Sequence, residues 1–232
     1  MRTGPRPLRQ PPAYAQRIEA LERALKHAQH LLHQDDLTPL LNRRGFRRAC
    51  DQWPASQPMG TRMCCVMMDL DGFKLINDQH GHPVGDAALI HFAKTLRLHV
   101  RRADAVARLG GDEFALVLHN AGGIDTLGVL ERLQKILEAS PLPVPEGPVR
   151  LRFSAGVAER RIDESLIDAL GRADAALLDA KQSGKALVRL QGQRPWSSIP
   201  PKLRDGFSHV GEHRFNLLNR QGPPLRSDIW DF

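Results

Sequence analysis

The chain alternates between short apolar runs of strand length and longer segments in which apolar residues recur every three or four positions. The runs predict strands at residues 63–69, 105–109, 114–118, 149–158 and 186–190. The spaced segments predict helices at residues 14–34, 73–80, 85–100, 124–139 and 165–182, and a further helix begins near Arg43. This interleaving predicts an α+β fold in which helices flank a mostly antiparallel central sheet.

The second and third predicted strands are joined by a tight turn that contains Gly110 and Gly111. Glycine admits positive φ, and because it has no Cβ a ligand can come close to the backbone. Two carboxylates, Asp112 and Glu113, follow at the hairpin tip, and carboxylate oxygens suit a divalent cation that carries phosphate. The hairpin alone leaves two interpretations open, a cation site and a solvated turn.

A second source of carboxylate lies upstream, at the end of the first predicted strand. The run Cys64-Cys65-Val66-Met67-Met68 is apolar and ends in Asp69. A buried strand that delivers an acid at its carboxyl end is a common way to present a metal ligand. If this strand is a neighbour of the hairpin, we expect Asp69 to face Asp112 across a gap that Mg²⁺ can fill.

Together these motifs resemble the GGDEF family of diguanylate cyclases, from about Asp35 to Leu190. The family's leading segment is matched by Asp35-x-Leu37-Thr38-Pro39-Leu40-x-Asn42-Arg43-Arg44, with Pro39 where glycine is common. Its role is expected to be structural, with Asn42 and the arginines satisfying backbone groups and neighbouring carboxylates. The other motifs are Asp69-x-Asp71-x-Phe73-Lys74-x-x-Asn77-Asp78-x-x-Gly81-His82-x-x-Gly85-Asp86 and Arg108-x-Gly110-Gly111-Asp112-Glu113-Phe114. The resemblance implies a nucleotidyl cyclase domain like the palm of nucleic-acid polymerases.

The resemblance implies an enzyme that joins two GTP molecules into cyclic di-GMP. Two Mg²⁺ or Mn²⁺ ions per active site would neutralise phosphate charge and lower the pKa of the attacking hydroxyl. The expected ligands are Asp69, the Leu70 carbonyl and Asp112. Glu113 is expected either to hold the second cation or to help accept the proton, and the sequence does not separate these roles.

Three lysines are expected to face the phosphates. Lys74 follows the first metal-binding strand, while Lys181 and Lys185 lie at the end of the last helix. The family usually has arginine at the position of Lys185 and asparagine at that of Ala186. Lysine keeps the charge but lacks the bidentate fork of arginine, so the resemblance implies a weaker hold on phosphate.

Guanine recognition is expected from Asn77 and Asp86, with His82 nearby by resemblance. A carboxylate accepts the paired N1–H and N2 donors of guanine, and an amide NH₂ serves its O6. Adenine lacks those paired donors, which argues against an adenine substrate. The alternative for Asn77 and Asp86 is helix capping, a common role of both residue types.

An inhibitory product site is expected at Arg101 and Asp104. Their Arg-x-x-Asp spacing, at a set distance from Gly110, resembles the family's site for cyclic di-GMP. The alternative is a basic helix end, because arginine at a helix C-terminus interacts favourably with the helix dipole.

Charge divides the 232-residue chain into three predicted parts. Residues 1–34 carry six basic against two acidic residues, and residues 191–232 carry six against four, so little of the net +7 falls on residues 35–190. We predict a basic start with a linker helix, a catalytic domain at residues 35–190 and a Pro/Arg-containing tail of unassigned role. Because the basic excess lies in the flanks, nucleic acid is not an expected partner.

The expected location is the cytoplasm. The sequence has no apolar run approaching the roughly 18 residues of a membrane span, and no signal-peptide core. Its three cysteines, two of them adjacent in a predicted strand, fit reduced core thiols. We therefore expect neither membrane insertion nor disulfides.

The leading helix carries an apolar seam of about two heptads. Its members are Ile18, Leu21, Leu25, Ala28 and Leu32. The seam fits either a pairing helix, as the resemblance to dimeric cyclases implies, or a helix lying on its own domain. For the whole chain, an active homodimeric cyclase competes with a non-catalytic effector or adaptor that binds cyclic di-GMP or a partner protein through a cyclase-like domain. Such effectors usually lack one of the metal-site acids, and Asp69, Asp112 and Glu113 are all present.

Overall fold

The computed structural model describes residues 13–56, 61–183 and 188–191. Within these ranges the chain forms six helices and five strands. The helices are α1 (Ala13–His33), α2 (Arg43–Ser56), α3 (Phe73–His80), α4 (His82–His99), α5 (Gly123–Ala139) and α6 (Leu166–Gln182). The strands are β1 (Met63–Leu70), β2 (Ala105–Gly110), β3 (Glu113–His119), β4 (Phe153–Glu159) and β5 (Val188–Leu190).

The five strands form one sheet in the order β2-β3-β1-β4-β5. The pairs β2–β3, β3–β1 and β1–β4 are antiparallel, and only the pairing of β4 with β5 is parallel. The predicted α+β fold with a mostly antiparallel sheet is therefore confirmed. The most central strand is β1, whose acidic end carries Asp69.

Helices cover both faces of this sheet, which explains why β1 is apolar from Met63 to Met68. Cys64, Val66 and Met68 face the layer of α4 and α5, where the rings of Phe92 and Phe114 meet at 4.8 Å. Cys65 points to the opposite layer, which α2 and α6 form. Both faces of the sheet therefore pack against helices, so polar side chains that could bind a ligand lie at the ends of the strands.

The three cysteines lie in this core and none is in a disulfide, as predicted. Burial raises the pKa of the Cys64 thiol to about 12 and also raises that of Cys65. The thiols therefore stay protonated and serve as small apolar side chains.

Two predicted starts, one of a strand and one of a helix, differ from the structure by three or more residues. The strand predicted at residues 149–158 begins only at Phe153, because Val149 exchanges both backbone hydrogen bonds with Leu142 and closes a separate loop. The helix predicted from Gly85 begins at His82, since Gly81 with φ 81° ends α3 and Pro83 suits the first turn of the next helix.

Several predictions concern residues that the structure does not describe. These are the basic start at residues 1–12, Lys185, the first residues of the last predicted strand at 186–187, and the tail beyond Gln191. In the described ranges, no helix has both the length and the apolar character required to cross a membrane.

The segment between α1 and α2 ties the leading helix to the sheet. Asn42 donates from Nδ2 to the carbonyls of Leu32 and Gln34, at 3.1 and 2.8 Å, and its Oδ1 accepts from Gly45. Asp35 accepts from the backbone and the hydroxyl of Thr38. The residues of this segment therefore satisfy backbone groups, as the sequence predicts.

Candidate active site

The carboxyl end of β1 and the start of β3 lie side by side and bring the predicted acids together. Asp69 stands opposite Glu113 in the register of the two strands. The backbone N–H of Leu70 donates to the carbonyl of Asp112 at 3.2 Å. The expected neighbour relation between the first strand and the hairpin is therefore confirmed, and it rests on backbone pairing.

The two turn glycines have backbone conformations that favour glycine. Gly110 has φ 144° and Gly111 has φ 53°, and a Cβ added at either would meet no atom within 4 Å. The requirement for glycine is thus conformational, and the space beside the turn is open to a ligand. Arg108 holds the turn by donating from Nε to the Gly111 carbonyl at 2.9 Å, while its Nη1 lies 3.3 Å from the Asp35 carboxylate.

Asp69 is buried, and a lysine contacts it directly. Lys181 Nζ lies 2.6 Å from Asp69 Oδ2. Burial raises the pKa of the Asp69 carboxyl, the bond from Lys181 lowers it, and the nearby charge of Asp112 raises it again. Two carboxylates that repel one another in a partly dry site favour the approach of positive charge. The site is therefore suited to cations.

Glu113 is turned to a different partner. Its Oε2 lies 3.7 Å from Nη2 of Arg43, and Arg43 also donates from Nε to the Leu109 carbonyl at 3.1 Å. Sequence reasoning assigned the arginines of this segment only a general role toward neighbouring carboxylates. The adjacent run Asn42-Arg43-Arg44 was the available signal, but it does not specify which acid Arg43 meets.

A second cluster lies along α3 and the first turn of α4, which follow β1 directly. The Oδ1 atom of Asn77 is buried and has no hydrogen-bond partner. A Cβ on Gly85 would lie 1.9 Å from that oxygen, so glycine is what allows Asn77 its position. A buried acceptor without a donor costs free energy, and a ligand that brings N–H groups relieves that cost.

The helix-capping alternative for Asn77 and Asp86 is wrong in the described structure. The N-cap positions of α3 and α4 are Gly72 and Gly81, and no side chain caps either helix. Asp86 and His82 are exposed at the start of α4. These residues therefore have polar groups that local helix structure does not use.

The predicted phosphate-binding lysines approach from two directions. Lys74 is exposed in the first turn of α3, just after the end of β1. Lys181 reaches Asp69 from the last turn of α6. The structure therefore brings Lys181 to the acids, whereas Lys185 lies in the undescribed residues beyond α6.

The predicted inhibitory pair lies at the opposite end of the sheet. Asp104 is 3% exposed, and its two oxygens accept from the backbone N–H groups of Arg101 at 2.8 Å and His119 at 2.9 Å. Burial raises the pKa of Asp104, against the effect of these bonds. Asp104 thus stabilises the turn before β2, while Arg101 is half-buried and donates to the His119 carbonyl at 3.4 Å. Arg101 directly follows Val100, the C-cap residue of α4, and its guanidinium bonds the His119 carbonyl at the end of β3.

The donor set of the site fits a hard divalent cation. Across the described residues, no group of three or more His, Cys, Asp or Glu side chains is placed to hold a metal ion. A cation would therefore depend on the carboxylates of Asp69 and Asp112 together with backbone oxygen, for which the Leu70 carbonyl is the expected donor. All of these are oxygen ligands, which Mg²⁺ and Mn²⁺ prefer.

Comparison with known proteins gives the same assignment along most of the chain. Residues 32–186 match the family described as diguanylate cyclase, GGDEF domain. The bifunctional diguanylate cyclase/cyclic di-GMP phosphodiesterase MucR of Pseudomonas aeruginosa is 36% identical over 168 residues, which cover 72% of this chain and 24% of that protein. The response regulator PleD of Caulobacter vibrioides is 33% identical over 175 residues, 72% of this chain and 38% of that protein.

Solved structures agree with the sequence matches. The coiled coil and GGDEF domain of DgcB from Caulobacter crescentus, in complex with c-di-GMP, superposes with a TM-score of 0.68 at 28% identity. The match covers 76% of this chain and 95% of that one. By contrast, this chain spans only about a quarter to two fifths of the length of the two curated relatives above.

Proposed function

The chain belongs to the GGDEF diguanylate cyclase family, and from that premise we propose that it condenses two GTP molecules into cyclic di-GMP and two pyrophosphates. One observation carries the proposal: β1 and β3 are neighbours, so that Asp69 and Leu70 lie beside Asp112 and Glu113. The acids that we propose for the reaction therefore lie together at one end of these two strands.

The proposed reaction consists of two equivalent phosphoryl transfers. In each, the ribose 3′-oxygen of one GTP bonds to the α-phosphorus of the other, and the bond from that phosphorus to the pyrophosphate oxygen breaks. Mg²⁺ or Mn²⁺, two ions per active site when bound, would supply charge neutralisation and a lower pKa of the attacking hydroxyl. Asp69, Asp112 and the Leu70 carbonyl are the proposed ligands, and Glu113 serves as ligand of the second ion or as acceptor of the hydroxyl proton.

The lysines around the acids supply positive charge for the phosphates. Lys74, exposed beside the end of β1, and Lys181, in the last turn of α6, are proposed to bind the triphosphate. Lys185 is added on sequence grounds alone. Positive groups aimed at developing phosphate charge are the usual source of transition-state stabilisation in such transfers.

The guanine base is proposed to bind between α3 and the start of α4. The unpartnered buried oxygen of Asn77 and the exposed carboxylate of Asp86 support this assignment, with His82 beside them. The Asp86 carboxylate would accept the paired N1–H and N2 donors of guanine and the Asn77 NH₂ would donate to O6, whereas adenine would leave Asp86 unpaired. The substrate is therefore GTP in preference to ATP.

Activity is proposed to require a homodimer, because each domain binds one GTP and the reaction joins two symmetrically. The seam of α1 supports this: Ile18, Leu21, Leu25 and Leu32 are 54, 64, 60 and 51% exposed. These side chains do not lie on the helix's own domain, the alternative that the sequence left open. A second copy of α1 would bury them and raise the local concentration of the partner domain.

Cyclic di-GMP is proposed to act as product and inhibitor, with the half-buried Arg101 as a contact of the inhibitory site. DgcB crystallises with c-di-GMP bound, which supports binding of this dinucleotide by the present chain. Asp104 would contribute by holding the turn that presents Arg101. Because GTP is the proposed substrate, we place the reaction in the cytoplasm.

The test is incubation of the purified chain with GTP and Mg²⁺, followed by chromatography and mass spectrometry of the products. We expect cyclic di-GMP and pyrophosphate in a ratio of one to two, and no dinucleotide from ATP. Binding of cyclic di-GMP without any GTP turnover would instead identify the chain as a non-catalytic effector.

A further inference from the structure

The contact between Lys181 and Asp69 differs from the other lysine ion pair of the described chain. Lys135 pairs with Glu131 within one helix, and its side chain is 67% exposed. Lys181 instead joins α6 to the end of β1, and the exposed fractions of its side chain and that of Asp69 are 35% and 12%. Such a pair is less screened by solvent than a surface pair, so adding or removing a charge beside it changes its interaction energy more.

The backbone that carries Lys181 is fixed against the sheet. A Cβ on Gly156 of β4 would lie 2.0 Å from the Ala173 carbonyl and 2.2 Å from the Leu177 nitrogen, so α6 packs directly on the strand. The lysine head is attached to that helix by a flexible four-carbon stem. Any movement of the ammonium is therefore a movement of the side chain and needs no movement of α6.

We propose that Lys181 and a divalent cation compete for the Asp69 carboxylate, and that cation binding releases the ammonium toward the triphosphate. The proposal rests on the function proposed above and deepens it. Asp69 is the carboxylate that a metal ion needs, and Lys181 already compensates its charge at 2.6 Å. A dication beside the same carboxylate repels the ammonium strongly in a half-buried site, since Coulomb energy scales inversely with dielectric constant and distance.

Competition of this kind couples metal binding to substrate binding. If the cation drives Lys181 toward phosphate, then phosphate that draws Lys181 away must equally tighten cation binding, because coupling between two ligands is reciprocal. The site would then load its metal mainly together with nucleotide. Lys181 is then a positioning residue that links metal binding to nucleotide binding, in addition to contacting phosphate.

The test is a titration of the nucleotide-free full chain with Mn²⁺, followed by calorimetry and by the electron paramagnetic resonance of free Mn²⁺. We expect Lys181→Met to bind Mn²⁺ about tenfold more tightly than the wild type, the effect of roughly one pKa unit of electrostatic interaction. Lys181→Arg keeps the charge and should bind as the wild type does. Lys135→Met removes an exposed ion pair within α5 and should leave the affinity unchanged, while Asp69→Asn should abolish binding.

Equal or weaker Mn²⁺ binding by Lys181→Met would overturn the proposal, and so would absence of binding in every variant, since removal of a competitor must reveal the site. Thermal unfolding with and without Mn²⁺ checks that each variant is folded. GTP turnover is measured separately. A wild type that shows the expected Mn²⁺ pattern but no turnover contradicts the proposed function and leaves the competition intact.

Discussion

Two buried aspartates at opposite ends of the sheet are held by very different partners. Both carboxylate oxygens of Asp104, which lies just before β2, accept hydrogen bonds from backbone N–H groups, those of Arg101 and His119. Asp69, at the end of β1, is bonded by the flexible side chain of Lys181 and lies beside the charge of Asp112. Burial raises the pKa of both carboxyls, so burial and pKa do not distinguish them.

The nature of the partner separates a structural from a functional carboxylate here. Backbone N–H groups cannot leave Asp104 without unfolding the turn, so that carboxylate has little capacity for a ligand. A lysine side chain can leave Asp69 at the cost of rotating a few bonds. We therefore expect substitutions at Asp104 to change stability and substitutions near Asp69 to change chemistry.

The largest effect is expected at the acids near Asp69. Asp112→Asn should lower GTP turnover by at least about 100-fold, because an amide is a poor ligand for a divalent cation and removes charge from the transition state. Its free energy of unfolding should change by less than about 0.5 kcal/mol, as for an ordinary surface substitution. Initial-rate assays and urea unfolding check both. Turnover near the wild-type rate would contradict the metal assignment.

The opposite result is expected at Asp104. In Asp104→Asn the amide nitrogen faces a backbone donor, so one charge-assisted bond is replaced by a repulsive contact and the free energy of unfolding should fall by about 1.5–3 kcal/mol. GTP turnover of the folded protein should stay within about twofold of wild type. Urea unfolding measures the loss, and the exposed Asp163→Asn serves as control. Equal free energies of unfolding for the two variants would contradict the assignment of Asp104 as a structural carboxylate.

A smaller effect on activity is expected from a substitution beside Asn77 that changes no charge. Gly85→Ala would place a methyl group 1.9 Å from Asn77 Oδ1 and displace that side chain. We expect the KM for GTP to rise about tenfold, the effect of a lost or misplaced hydrogen bond of about 1.4 kcal/mol. In Gly128→Ala the added Cβ meets nothing within 4 Å, so this matched helical variant should keep its KM. An unaltered KM in Gly85→Ala would argue against guanine binding at Asn77.

Arg101→Ala tests the proposed ligand contact in the Asp104 turn. Its guanidinium makes one long bond, 3.4 Å, so its loss should have little effect on stability. Inhibition by added cyclic di-GMP should weaken by about tenfold or more, as for loss of a charged hydrogen bond, with the initial velocity unchanged. Arg102→Ala removes the same charge one position later and should keep the inhibition. A wild type without product inhibition would show that this end of the sheet is structural only.

The smallest effect on activity is expected from changes to the leading helix α1. Deletion of residues 1–33 should lower specific activity a few-fold at low enzyme concentration, and the deficit should shrink as concentration rises, because tethering acts through effective concentration. Leu21→Asp with Leu25→Asp should reproduce this result without shortening the chain. The same concentration dependence in all three proteins would show that the seam of α1 does not pair.

Local sequence pattern was sufficient for much of the fold and for part of the site. Apolar periodicity predicted the strands and the other helices of the described domain to within a few residues, because burial and backbone conformation are encoded over short windows. For α2 only the start near Arg43 was predicted. The periodicity failed at Val149, where an exchange of hydrogen bonds with Leu142, seven positions earlier, closes a loop and removes the residue from β4. The Gly-Gly turn predicted the hairpin, since positive φ at adjacent positions is a local property of glycine.

The tertiary structure alone decided how each acid is used. Asp69 and Lys181 are 112 positions apart in the sequence, and only the packing of α6 on the sheet through Gly156 brings them together. Packing likewise buries Asp104, which accepts a hydrogen bond from the His119 N–H, and places Glu113 beside Arg43. It also leaves the apolar seam of α1 exposed. Sequence determines which charges a protein carries, but their partners depend on distances that exist only after the chain has folded.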